Sequence, residues 1–153
     1  MKKIKSFTVN HNLLEKGMYV SRIDGDVITY DVRMKKPNAG DYLSPSGMHT
    51  LEHLLATFMR NSNHSGSVIY VGPMGCRTGF YVILRETVTK IQAIALVQEG
   101  LQFIADFEGE IPGNSKIECG NYKDHNLHEA KSIATDMVAV LHNWQEKDLI
   151  YKE

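Results

Sequence analysis

Val27-Ile28-Thr29-Tyr30-Asp31-Val32-Arg33-Met34 alternates apolar and polar residues with a period of two. Ile28, Tyr30, Val32 and Met34 share one face of an extended chain, and Thr29, Asp31 and Arg33 share the other. That pattern predicts a half-buried strand, apolar side on a core and polar side toward water. Upstream, Met18-Tyr19-Val20-Ser21-Arg22-Ile23 predicts a second strand, and Asp24-Gly25-Asp26 between the two reads as a hairpin turn. Downstream, Pro37-Asn38-Ala39-Gly40 ends the second strand.

Further along, Ser44-Pro45 has the form of an N-cap followed by proline at the first helical position. The helix runs to about Arg60, and Asn61-Ser62-Asn63-His64-Ser65-Gly66 closes it. Strands are predicted over Ser67–Val71 and Gly79–Arg85, around the turn Gly72-Pro73-Met74-Gly75-Cys76-Arg77-Thr78. A long helix is predicted from about Glu86 to Phe107, with Val88, Ile91, Ile94, Leu101 and Ile104 near helical spacing. Lys116-Ile117-Glu118-Cys119 reads as a short strand, and a last helix from about Asn126 carries Leu127, Ala130, Ile133, Met137, Leu141 and Trp144 on one face. Hairpin-linked strands with interspersed helices predict an α+β fold, an antiparallel sheet packed against helices in a single-domain α/β sandwich. No repeat or linker divides residues 1–153, so one domain is expected.

The composition narrows the function. Seventeen basic and 18 acidic residues leave a formal charge of −1, unlike the basic excess of a nucleic-acid or polybasic membrane-surface protein. No segment approaches the roughly 20 apolar residues of a membrane span, and no apolar run follows the basic start, so a cytoplasmic location is expected. There, the two cysteines Cys76 and Cys119 point to metal binding or catalysis rather than a disulfide.

His49-Thr50-Leu51-Glu52-His53 is an H-x-x-E-H pattern on the first long helix. Residues i and i+4 lie on one helix face, so both imidazoles can reach one metal ion, with Glu52 flanking that face. Cys119 is a candidate third ligand in a His/His/Cys set suited to Fe(II), Zn(II) or Co(II), and His125 and His128 compete for that place. Cys76 sits in a Gly/Pro-rich turn beside Arg77, which can hold a thiolate. Arg33 projects from the polar face of its strand and can clamp a carboxylate. Ser6 and His11 flank a short apolar start.

Together these stretches resemble one family along nearly the whole chain. The shared elements are Ser6-Phe7 with His11, Asp31-Val32-Arg33, His49-Thr50-Leu51-Glu52-His53-Leu54, Pro73-Met74-Gly75-Cys76-Arg77-Thr78-Gly79 and Glu118-Cys119-Gly120-Asn121-Tyr122. In order and spacing they resemble the S-ribosylhomocysteine lyases, the LuxS family of autoinducer-2 synthesis. The resemblance implies thioether cleavage to homocysteine and 4,5-dihydroxy-2,3-pentanedione, by metal-assisted carbonyl migration along the ribose and then β-elimination. It implies one Fe(II) per subunit on His49, His53 and Cys119, with Zn or Co able to substitute. It assigns Cys76 and Glu52 to acid/base catalysis, and Ser6, His11 and Arg33 to substrate contact. It also implies a homodimer with its active sites at the subunit interface. Two other readings of the same residues are a metal-dependent hydrolase of inverted-zincin type, with a carboxylate third ligand, and a structural site closed by His49, His53, Cys76 and Cys119.

Overall fold

Gly25 adopts φ +60°, and that left-handed turn joins β1 (Gly17–Asp24) to β2 (Val27–Arg33). The computed structural model describes residues 1–153. β3 (Val68–Pro73) and β4 (Gly79–Arg85) form the second hairpin, and β4 pairs with β2. The result is a four-stranded antiparallel sheet in the order β1-β2-β4-β3. Ile28, Tyr30 and Val32 of β2 and Phe80, Val82 and Leu84 of β4 point into the main core.

Three helices complete that core on one side of the sheet. α1 (Pro45–Arg60) starts as expected, with the Ser44 hydroxyl accepting the Gly47 N–H and Pro45 at the first helical position. Leu51, Leu54, Leu55 and Met59 form its buried stripe. α2 (Lys90–Ala105) begins later than its apolar pattern suggests, because Thr89 and Gln92 form a reciprocal capping box. Val88 is buried ahead of the helix, and Ile91 is 66% exposed on it. α3 (Leu127–Leu141) is capped by Asn126 and ends before Trp144, whose indole N–H instead donates to the Met18 carbonyl of β1. The two-layer α+β sandwich agrees with the sequence reading.

Two local expectations are corrected. Lys116–Cys119 is a turn, not a strand: the Glu118 and Cys119 N–H groups both donate to Ser115 O, and Ile117 is 94% exposed. The polar face of β2 is also buried at its end, with Asp31 1% and Arg33 3% exposed. Period-two alternation identifies the core face but does not reveal that other segments cover the opposite face. Here the residues after α3 pass the β1 edge and place Tyr151 on Asp31, while residues 6–11 lie nearby.

Gly79 fixes how closely β2 and β4 approach. A Cβ there would lie 2.4 Å from the Val32 carbonyl oxygen and 3.1 Å from the Arg33 Cα, both backbone atoms. Gly79→Ala is therefore expected to lower the urea midpoint by an amount equivalent to about 3 kcal/mol, with the slope unchanged. An unaltered midpoint would show that the two strands can separate without cost.

Candidate metal centre and thiol pocket

The i, i+4 spacing on α1 brings His49 and His53 together, with ring centroids 4.6 Å apart. The loop between α2 and α3 folds over them and brings Cys119 Sγ to 3.4 Å from His49 Nε2. Two ligands of one tetrahedral ion, at bond lengths of about 2.1 and 2.3 Å, would stand roughly 3.6 Å apart. His125 joins the group, and one potential donor atom from each of these four residues lies within 4.8 Å of the others. His128 is exposed and outside it.

Hydrogen bonds select the tautomers. His49 Nδ1 is 2.8 Å from the Asp124 carbonyl, and His53 Nδ1 is 2.8 Å from the Pro112 carbonyl. A carbonyl only accepts, so both Nδ1 atoms carry protons and both Nε2 lone pairs remain for a metal. Thr50 Oγ1 lies 3.1 Å from the Ser46 carbonyl, to which it donates, and it accepts the Asn126 N–H. The His125 Nδ1–H, at 2.9 Å, is then its remaining partner. His125 Nε2 is left buried with no protein partner. Burial first, then His49 and His53, lower the His125 pKa and favour its neutral form. Imidazoles with Nε2 left free, two of them oriented by carbonyls, together with a free thiol fit a borderline divalent ion.

The four donors are not equivalent. His49 and His125 are stacked at 4.0 Å with only 17° between ring planes. His53 instead crosses His49 at 89°. Glu52 is partly buried on α1 immediately before His53. No carboxylate belongs to the donor group, against the hydrolase reading, and Cys76 is outside it, against the closed structural site.

Cys76 belongs to a second constellation. Ser6, His11, Arg33 and Cys76 line one cleft of ≈ 320 Å³, together with Tyr81 and Tyr151. Arg33 is not the exposed clamp its alternating strand suggests. Its Nε and Nη2 bind both Asp31 oxygens, at 3.1 and 2.6 Å, and its Nη1 donates to Thr78 Oγ1 at 2.7 Å. The same Nη1 is 3.9 Å from Cys76 Sγ. Burial opposes the Arg33 charge, but Asp31 outweighs it and raises the Arg33 pKa. Arg33, not Arg77, is thus the cation poised over the thiol. Arg77 takes φ +60° and turns toward the Leu43 carbonyl and the Tyr42 ring. His11 is oriented by its Nδ1, 2.9 Å from the Val9 carbonyl.

The two constellations come from opposite sides of the sheet: the metal donors from α1 and the α2–α3 loop, the thiol cleft from the face bearing Asp31, Arg33 and Tyr81. None of the metal donors lines the cleft. Asp31 and Thr78 lie inside two of the shared stretches but were given no role there, and Tyr151 lies outside all of them. Only the i, i+2 spacing of Asp31 and Arg33 hinted at a buried pair.

An α+β sandwich with a His/Cys donor group oriented by backbone carbonyls defines a small metalloenzyme-like domain. The family model described as S-ribosylhomocysteinase (LuxS) matches residues 4–148, and the chain belongs to that family. It is 48% identical to an S-ribosylhomocysteine lyase of Clostridium acetobutylicum over 158 aligned positions covering 100% of both chains. It is 46% identical to one from Clostridium beijerinckii, covering 99% of each, and 45% identical to one from Finegoldia magna, covering 100% of each.

Proposed function

We propose that this protein is a carbon–sulfur lyase that cleaves the thioether of S-ribosylhomocysteine. The products are homocysteine and 4,5-dihydroxy-2,3-pentanedione, the precursor of autoinducer-2. The observation that carries this reading is the full-length match to relatives bearing that name, in a chain whose donors assemble as His49, His53 and Cys119. We assign the metal to these three residues and identify it as Fe(II), one per subunit, with Zn or Co as substitutes. The parallel stack of His125 on His49 supports leaving His125 out of the ligand set.

When bound, the ion supplies Lewis acidity toward a carbonyl oxygen of the opened sugar. Arg33 places a guanidinium nitrogen 3.9 Å from the Cys76 Sγ. Cys76 takes and returns protons on adjacent sugar carbons, moving the carbonyl from C1 to C3. Glu52 shuttles protons and serves the later steps, in which the C4 proton is lost and homocysteine leaves C5 with the carbon–sulfur electron pair. Ser6 and His11 hold the substrate in the cleft shared with Arg33.

The active enzyme in this reading is a homodimer whose sites are composite. His49, Glu52, His53 and Cys119 of one protomer face Ser6, His11, Arg33 and Cys76 of its partner. Separation of the two groups by the sheet supports this, as do exposed apolar side chains such as Phe7 at 68%, Tyr70 at 53% and Ile150 at 74%. We place the enzyme in the cytoplasm, where free Cys76 and Cys119 stay reduced. No helix is long and apolar enough to cross a membrane. The near-balanced charge favours a small substrate over nucleic acid or an anionic membrane.

The test is anaerobic incubation of the Fe(II)-loaded protein with S-ribosylhomocysteine while free thiol is followed. Release of one homocysteine per substrate consumed is expected. Absence of thiol release would overturn the assignment.

A further inference from the structure

The buried Asp31–Arg33 pair has a third member that lies outside the motifs of the active site. The Tyr151 hydroxyl donates to Asp31 Oδ2 at 2.7 Å. Asp31 Oδ2 also accepts Arg33 Nη2 at 2.6 Å, and Oδ1 accepts Arg33 Nε at 3.1 Å. Arg33 Nη1, left free by this bidentate grip, reaches Thr78 Oγ1 and stands 3.9 Å from Cys76 Sγ. A buried carboxylate missing one of its donors is left with an under-satisfied oxygen, and its remaining partner, here the guanidinium, shifts to compensate.

Tyr151 is itself held firmly. Its ring stacks on Tyr19 at 5.0 Å and 21°, and Tyr19 packs edge-on against Trp144. Leu149 is 2% exposed and anchors the intervening turn in the core. Burial and the Asp31 charge raise the Tyr151 pKa, so its hydroxyl stays a proton donor. Tyr151 also lines the cleft with Ser6, His11 and Cys76.

We propose that Tyr151 is a positioning residue of the thiol pocket: by saturating Asp31 it sets Arg33 in the orientation that supports Cys76. The idea rests on the acid/base role proposed for Cys76. The groups facing that thiol are Arg33 and Asp31 from β2, Tyr81 from β4, Arg77 and Thr78 from its own turn, the Thr78 hydroxyl at 3.1 Å from Sγ, Tyr42 from the segment before α1, His11 from the N-terminal segment and Tyr151 from the C-terminal one.

The test uses the metal-loaded protein and Tyr151→Phe, which keeps the ring stack. Alkylation of Cys76 by iodoacetamide is followed against pH, with peptide mass mapping to separate it from Cys119. The midpoint is expected to rise by about half a pH unit, since a less well-directed guanidinium favours the thiolate less. The value of kcat for thiol release is expected to fall roughly tenfold, with KM changed less than threefold. Tyr19→Phe is the control, because its hydroxyl serves the Glu15 carbonyl instead. An unmoved alkylation midpoint in Tyr151→Phe, or an equal shift in Tyr19→Phe, would overturn the proposal. Alkylation needs no substrate, so failure of the lyase assignment would show separately, as absent thiol release by wild type.

Discussion

His49→Ala lowers thiol release by about 10³-fold or more and leaves the purified protein without its stoichiometric metal. The reason is geometric. His49 Nε2 lies 3.4 Å from Cys119 Sγ, and its Nδ1 is committed to the Asp124 carbonyl. Its loss removes an oriented Nε2 that no other side chain on α1 can replace. Cys119→Ala is expected to do the same, because the remaining imidazoles lack the thiolate that makes the site selective for a borderline ion. His125→Ala is the informative contrast. Its ring lies parallel to His49, and in the proposed arrangement it supplies no metal bond. Metal content measured by elemental analysis after dialysis against a weak chelator should stay near one per chain in His125→Ala. Equal metal loss in all three variants would mean that His125 is a ligand. Full retention in His49→Ala would place the ion elsewhere. The variants should keep the wild-type circular dichroism, since the core formed by Leu51, Leu54 and Leu55 lies on another face of α1 and is untouched.

The second large effect concerns Cys76. Alone, Cys76→Ala is expected to lose roughly 10²–10⁴-fold in kcat, the usual contribution of a positioned acid/base group, while retaining metal. Mixed with His49→Ala and allowed to exchange subunits, it should regain activity. In a composite homodimer, each heterodimer of the two variants carries one site with both defects and one site with neither. Random exchange makes half the dimers heterodimers, each with one intact site, so activity should approach about a quarter of wild type. If His49 and Cys76 of the same chain served the same site, mixing would restore nothing. The experiment thus reads directly which protomer supplies each half of the chemistry. It also tests whether the two groups that the sheet separates in one chain meet across two protomers.

Much of this molecule was legible in its residues. The alternation of Val27–Met34, the Gly25 turn and the Ser44-Pro45 cap are local signals, and each appears in the structure where the sequence places it. The helix period alone put His49 and His53 on one face. Less was visible where a segment takes its conformation from what it packs on. Lys116–Cys119 has strand-like residues but no strand to pair with, so it turns and presents Cys119 to α1 instead. The early boundary drawn for α2 failed because Val88 is apolar for a core reason and not a helical one, while the cap at Thr89 decides where the helix starts.

The sequence by itself determined the antiparallel α+β class, the histidines paired on one helix face and two cysteines set in separate stretches, because all of these are encoded over a few residues or in linear motifs. Only the tertiary structure decided which histidine joins the pair. His125, just ahead of the Asn126 cap, is brought in with its Nδ1 2.9 Å from Thr50 Oγ1 of α1, and His128 on α3 is left at the surface. Only the tertiary structure, too, replaced Arg77 by Arg33 as the cation at Cys76 and buried the pair Asp31–Arg33 beneath Tyr151, 120 residues away in the chain from Asp31. Charge and hydrogen-bond partners at such distances depend on which surfaces the folded chain brings together, and local pattern carries no information about that.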